Sequence, residues 1–74
     1  MKITNSVEFG QIIRETRVSQ RLTQANLAIA SNCGQRFIVD LERGKETCEL
    51  EKAIYVAKML GLKIEISVPA RFGI

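Results

Sequence analysis

Leu22-Thr23-Gln24-Ala25-Asn26-Leu27-Ala28-Ile29-Ala30-Ser31-Asn32-Cys33-Gly34-Gln35-Arg36-Phe37-Ile38-Val39-Asp40-Leu41-Glu42-Arg43-Gly44-Lys45 decides how this chain folds. It splits into two short helical runs about a turn. Thr23 is an N-cap residue, and Leu22 before it reaches Leu27 inside the helix as a hydrophobic staple. Ala25, Leu27 and Ala28 suit a short, closely packed helix. Ser31-Asn32 stops it, because Asn tolerates the left-handed conformation of a tight turn. Gly34 caps the second run, expected over residues 35–42. There Phe37, Ile38 and Leu41 form one apolar face, while Gln35, Arg36, Val39 and Asp40 turn away from it. Gly44 suits the position just past a helix end, and Arg43 suits the negative end of the helix dipole.

Upstream, a helix is expected to begin with Ser6 as N-cap. Phe9, Ile13 and Thr16 recur at helical spacing, with Ile12 beside them, and Ser19-Gln20-Arg21 ends the run. Downstream, a fourth helix is expected from Thr47 or Cys48. Its core stripe is Leu50, Ala53, Ile54, Ala57 and Leu60, with Gly61 as C-cap. Tyr55, Val56 and Met59 lie off that stripe, as extra core or as a partner surface. Beyond Gly61 the period changes to two: Leu62, Ile64, Ile66 and Val68 alternate with Lys63, Glu65 and Ser67, a strand pattern that Pro69 closes.

The chain has 74 residues, room for one small domain. Such domains are marginally stable alone and often lean on a disulfide, a metal or a partner. Cys33 and Cys48 with no His make neither a zinc site nor a disulfide framework, and reduced thiols fit the cytoplasm, the expected location. No apolar run is long enough to span a membrane, and residues 1–6 lack the apolar core of a signal peptide. There is no nucleophile–base pair and no phosphate-cradling glycine loop, so an enzyme, a cofactor and a metal are not expected. A net charge of +3 invites a polyanion, with Arg14, Arg17, Arg21, Arg36, Arg43 and Lys45 all in the first two thirds.

Two helices about a tight turn can lay the second in the major groove, where each base pair shows a distinct pattern. Gln bonds bidentately to adenine and Arg to guanine, and Gln35 and Arg36 open the second helix, the part that reaches base edges.

Leu22-Thr23-Gln24-Ala25, Leu27-Ala28, Phe37 and Asp40-Leu41-Glu42-Arg43-Gly44-Lys45 together resemble the XRE/Cro-C1 helix-turn-helix family, most nearly its HipB-like antitoxin branch. The likeness covers about residues 9–62 and extends to the strand. It implies a mainly α, four- to five-helix, lambda-repressor-like domain. It further implies base contacts from Gln35, Arg36, Val39 and Asp40. Phosphate contacts are implied for Gln24, Arg43 and Lys45, with Arg21 and Arg14 as further candidates, and a structural ion pair for Arg17 and Glu42. The turn departs from the family's Gly-Val-Ser, reading Asn32-Cys33-Gly34, and Gly34 lacks a capping side chain at a cost of a few tenths of a kcal/mol. Val39 stands where a polar residue is common, which favours a thymine methyl over a hydrogen bond.

A lone strand cannot satisfy its backbone groups, and Lys2-Ile3-Thr4 is the sole local candidate to pair with it. Pairing with the same strand of a second copy solves this. With Ile64 opposite Ile64 in an antiparallel pair, Lys63 meets Glu65 of the other chain. The expected organisation is an extension (1–5), the DNA-binding domain (6–61), a dimerisation strand (62–68) and a short tail (69–74). The expected function is a homodimeric repressor on a palindromic duplex operator, with a HipA-like kinase toxin as a partner implied by the resemblance. A phage-type repressor without a toxin, and a protein–protein module that has lost DNA binding, are the alternatives.

Overall fold

The computed structural model describes residues 2–67 and 69. Val68, at the end of the expected strand, and residues 70–74 of the expected tail lie outside the described residues. Among the described residues there are four helices: α1 (Ser6–Ser19), α2 (Gln24–Ala30), α3 (Gln35–Glu42) and α4 (Leu50–Met59).

The N-caps follow local chemistry. Asn5, not Ser6, caps α1: its side chain accepts from the Glu8 N–H at 2.9 Å. Ser6 is instead the first helical residue, and its hydroxyl donates to the Gly44 carbonyl at 2.8 Å. Thr23 caps α2 in a reciprocal box with Asn26. Gly34 and Glu49 precede α3 and α4 without a side-chain cap. The fourth helix thus starts at Leu50, two to three residues later than the expected Thr47 or Cys48.

All four helices end in one way. The residue after the C-cap turns left-handed: Arg21 (φ 60°), Asn32 (φ 54°), Gly44 (φ 81°) and Gly61 (φ 83°). In each case this residue and the next donate back into the last turn, as in Asn32 N–H to Ile29 O (3.2 Å) and Cys33 N–H to Ala28 O (3.0 Å). This closure satisfies carbonyls that a helix end otherwise leaves open.

The core joins all four helices: Ile13 of α1, Leu27 and Ala28 of α2, Ile38 and Leu41 of α3, and Ala53, Val56, Ala57 and Leu60 on and just after α4. Ile13, Leu27, Ile38 and Val56 are the largest fully buried side chains. Burying each contributes about 1.5–3 kcal/mol relative to exposure. Helix α3 packs on α1 and α2, and α4 packs on α2. Gly10 lets α1 meet the end of α3, since a Cβ there would run into the Leu41 carbonyl oxygen.

Two assignments on α4 are corrected. Leu50 is 72% exposed rather than core, and Val56 is core rather than off the stripe. The buried face is centred on Ala53, Val56, Ala57 and Leu60, at i, i+3, i+4 and i+7, which rotates Leu50 to its edge. Tyr55 and Met59 remain about half exposed.

Residues 62–67 carry no strand pairing within the chain, and neither do Lys2, Ile3 and Thr4. Leu62 packs on the core, whereas Ile64 and Ile66 are exposed, Ile66 by 90%. Together with Ile3, Phe9, Leu50 and Ile54 they line an open apolar groove of about 410 Å³. Apolar surface is therefore exposed along this groove as well as at Tyr55 and Met59.

Candidate nucleic-acid interface

Helix α3 is amphipathic with short-range clarity: Ile38 and Leu41 are buried, and Gln35 and Arg36 are exposed in its first turn. Val39 is half-buried on the same outer side. The turn from α2 sets this orientation, because Asn32 reverses the chain and Gly34 enters α3 extended (φ −77°, ψ 150°).

The end of α3 is anchored by Glu42. Its Oε2 accepts from Arg17 Nε at 2.7 Å, and its Oε1 accepts from Arg17 Nη2 and Gln24 Nε2, each at 3.1 Å. Arg17 Nη1 also donates to the Leu22 carbonyl at 2.7 Å. One carboxylate thus ties α1, the head of α2 and the last turn of α3. Arg17 and Glu42 have side chains 11% and 3% exposed, so this pair is shielded from water and salt. Gln24 braces α3 through Glu42 in this structure.

A second cluster lies on the outer side of α3. Arg36 Nε is 3.2 Å from Asp40 Oδ1, and Lys45 Nζ is 3.5 Å from Asp40 Oδ2. Arg36 is 80% exposed and Asp40 only 17%. The i, i+4 spacing of Arg36 and Asp40 makes the first contact readable from sequence, while the Lys45 contact depends on the reversal at Gly44. Arg14, Arg21 and Arg43 are exposed, and among the described residues their side chains make no ion pair.

Both cysteines are partly buried, and burial pushes both thiols above their ordinary range. Lys52 opposes this at Cys33; at Cys48 Asp40 adds to it and Lys45 opposes it. No group of His, Cys, Asp and Glu among the described residues is arranged to hold a metal ion, and no described helix is long and apolar enough to cross a membrane.

No family model matches the chain. Over 68 residues it is 40% identical to an HTH-type transcriptional regulator, y4mF, of Sinorhizobium fredii, covering 92% of this chain and 90% of that one. Among solved structures, the HipB–O4 20mer complex matches with a TM-score of 0.83 at 19% identity, over 92% of this chain and 96% of that chain. A complex of a HipB variant with an O2 20mer matches with a TM-score of 0.83 at 20% identity, over 92% and 94%. At these identities the likeness to the two complexes is one of fold.

Proposed function

The chain belongs to the HTH-type transcriptional regulators, and from that premise we propose that it is a repressor that binds a palindromic DNA duplex as a homodimer. The observation that carries this reading is the first turn of α3, where Gln35 and Arg36 are exposed on the side opposite the buried Ile38 and Leu41. Their hydrogen-bonding groups suit adenine and guanine edges, and the half-exposed Val39 suits a thymine methyl. Arg43 and Lys45 follow α3 and meet phosphates, joined by Gln24, Arg21 and Arg14, since much of any protein–DNA contact goes to the backbone.

Homodimerisation is supported by the exposed Ile64 and Ile66 and the groove beside them. Residues 62–68 pair with the same residues of a second copy, with Lys63 opposite Glu65. The two α3 helices then lie about 34 Å apart, one helical turn of DNA. The HipB likeness extends the role to an antitoxin that holds a HipA-like kinase toxin in the cytoplasm and regulates its own operon. A neighbouring kinase-like gene would favour this over a phage-type repressor.

The test is selection of duplexes from a randomised pool, followed by titration at several salt concentrations. Arg36→Ala is expected to lose affinity for the enriched duplex by about 1–3 kcal/mol and to relax preference at one base pair. Arg43→Ala is expected to weaken binding to all duplexes and to flatten the salt slope by about one unit. Unchanged affinity and preference in Arg36→Ala would remove α3 as the reading helix. A chain truncated after Gly61 is expected to sediment as a monomer; a persisting dimer rules out the strand as its main contact.

A further inference from the structure

We propose that Asp40 is a positioning residue that makes α3 discriminating: it holds Arg36 ready for a base edge and keeps Lys45 from phosphates until the right duplex is bound. This rests on the DNA-binding reading above.

Both oxygens of the Asp40 carboxylate face a cation, Oδ1 at 3.2 Å from Arg36 Nε and Oδ2 at 3.5 Å from Lys45 Nζ. The carboxylate itself is mostly covered, whereas Arg36 is 80% exposed. Asp40, covered and held between two cations, is therefore poorly placed for the direct base contact that the family resemblance implied for it. The carboxylate lies nearest Nε, which leaves the two terminal amines of Arg36 for the O6 and N7 of guanine. An arginine biased this way by an ion pair gives up part of its rotamer freedom before binding rather than during it.

The same carboxylate opposes indiscriminate binding. Lys45 is half exposed and follows α3, where a phosphate would compete with Asp40 for it. On a wrong sequence Arg36 finds no base partner, so nothing offsets the approach of Asp40 to the phosphates. On the right one the guanine contact does. Discrimination thus comes from a repulsive element as much as from an attractive one.

The experiment compares the full chain with Asp40→Asn, which keeps the shape and removes the charge. The probes are the duplex that the wild-type chain enriches most from a randomised pool and a scrambled duplex of equal length and composition. Asp40→Asn is expected to bind the scrambled duplex about tenfold more tightly, with a salt slope steeper by about one unit as Lys45 joins the phosphate contacts. Its preference for the enriched duplex is expected to fall about tenfold or more. Asp40→Glu, which keeps the charge, is expected to retain the wild-type slope, and in a Lys45→Ala background Asp40→Asn is expected to leave the slope unchanged.

If Asp40→Asn melts like the wild type yet keeps its preference and slope, the proposal is wrong. If it loses affinity for the enriched duplex alone, with the scrambled duplex unaffected, Asp40 contacts a base directly and the proposal is again wrong. Should Asp40→Asn fail to fold, Lys45→Ala decides: a salt slope unchanged from wild type on both duplexes removes Lys45 from the phosphate contacts and overturns the proposal. If the wild-type chain enriches no duplex, the DNA-binding reading fails and takes this inference with it; a wild type that discriminates beside an indifferent Asp40→Asn sinks only the inference.

Discussion

Arg17 on α1 and Glu42 at the end of α3 form a two-pronged ion pair, with N–O distances of 2.7 and 3.1 Å, between side chains almost wholly removed from solvent. Removing one member leaves the other charge uncompensated. Arg17→Ala and Glu42→Ala are each expected to destabilise the fold by about 3–5 kcal/mol, comparable to the whole stability of a chain this small. Urea unfolding followed by far-UV circular dichroism measures this, and a midpoint unchanged in either variant contradicts it. DNA binding lost in these variants would follow from unfolding.

Gly10 and Gly34 predict opposite responses. A methyl at Gly10 meets the carbonyl oxygens of Leu41 and Glu42, which are backbone and cannot step aside. Gly10→Ala is expected to cost at least about 1–3 kcal/mol, the usual range for overpacking. Nothing lies within 4 Å of a Cβ at Gly34, and that position lacks a side-chain cap. Gly34→Ser is expected to add a few tenths of a kcal/mol. Thermal melts of the two variants should therefore move in opposite directions.

Arg21 closes α1 at φ 60°, a conformation that glycine adopts without strain. Arg21→Gly is expected to stabilise the fold by about 0.4–1 kcal/mol, less than the full relief of left-handed strain because glycine also loosens the unfolded chain. If Arg21 meets a phosphate, the same variant binds DNA more weakly. A rise in melting temperature together with a shallower salt slope is the expected pair of results.

Cys33 and Cys48 predict a pH dependence. Burial favours the neutral thiol, so less thiolate is present at neutral pH than in an unfolded chain. Alkylation of the folded chain is expected to be slower than that of the chain in urea, and to accelerate only above the ordinary thiol range. The sign for stability is the same. The folded-state values are raised, so the contribution is complete below the ordinary thiol range and is lost as pH rises through the raised values. Equal alkylation rates in folded and unfolded chains would rule this out.

How much was legible in the sequence differs from helix to helix. Helices α2 and α3 are the most readable because their ends carry local chemistry: Thr23 caps α2, and Asn32 and Gly44 take the left-handed turns that close α2 and α3. The start of α1 differs by one position from the expectation, since Asn5 and Ser6 are both good caps and only Asn5 accepts the Glu8 N–H. Helix α4 is less legible. Glu49 gives no capping signal, and an apolar stripe with Leu50 competes on the helical wheel with one that includes Val56; tertiary packing chooses the latter. The left-handed turn at Arg21 carries no residue-type signal at all. On the outer face of α3, the outward position of Gln35 and Arg36 is legible from periodicity, whereas the contact of Lys45 with Asp40 requires the reversal at Gly44.

The anchoring of α3 and its outward face use different residues. Glu42, Ile38 and Leu41 hold the helix, and Gln35, Arg36 and Val39 supply none of the buried core. Substitutions at the exposed Gln35 and Arg36 therefore cost little folding stability. On the proposed function, a scaffold of this kind can change the duplex it answers to over evolutionary time, or be retargeted by a designer, through the outer side chains of α3 while the residues that anchor the helix stay as they are.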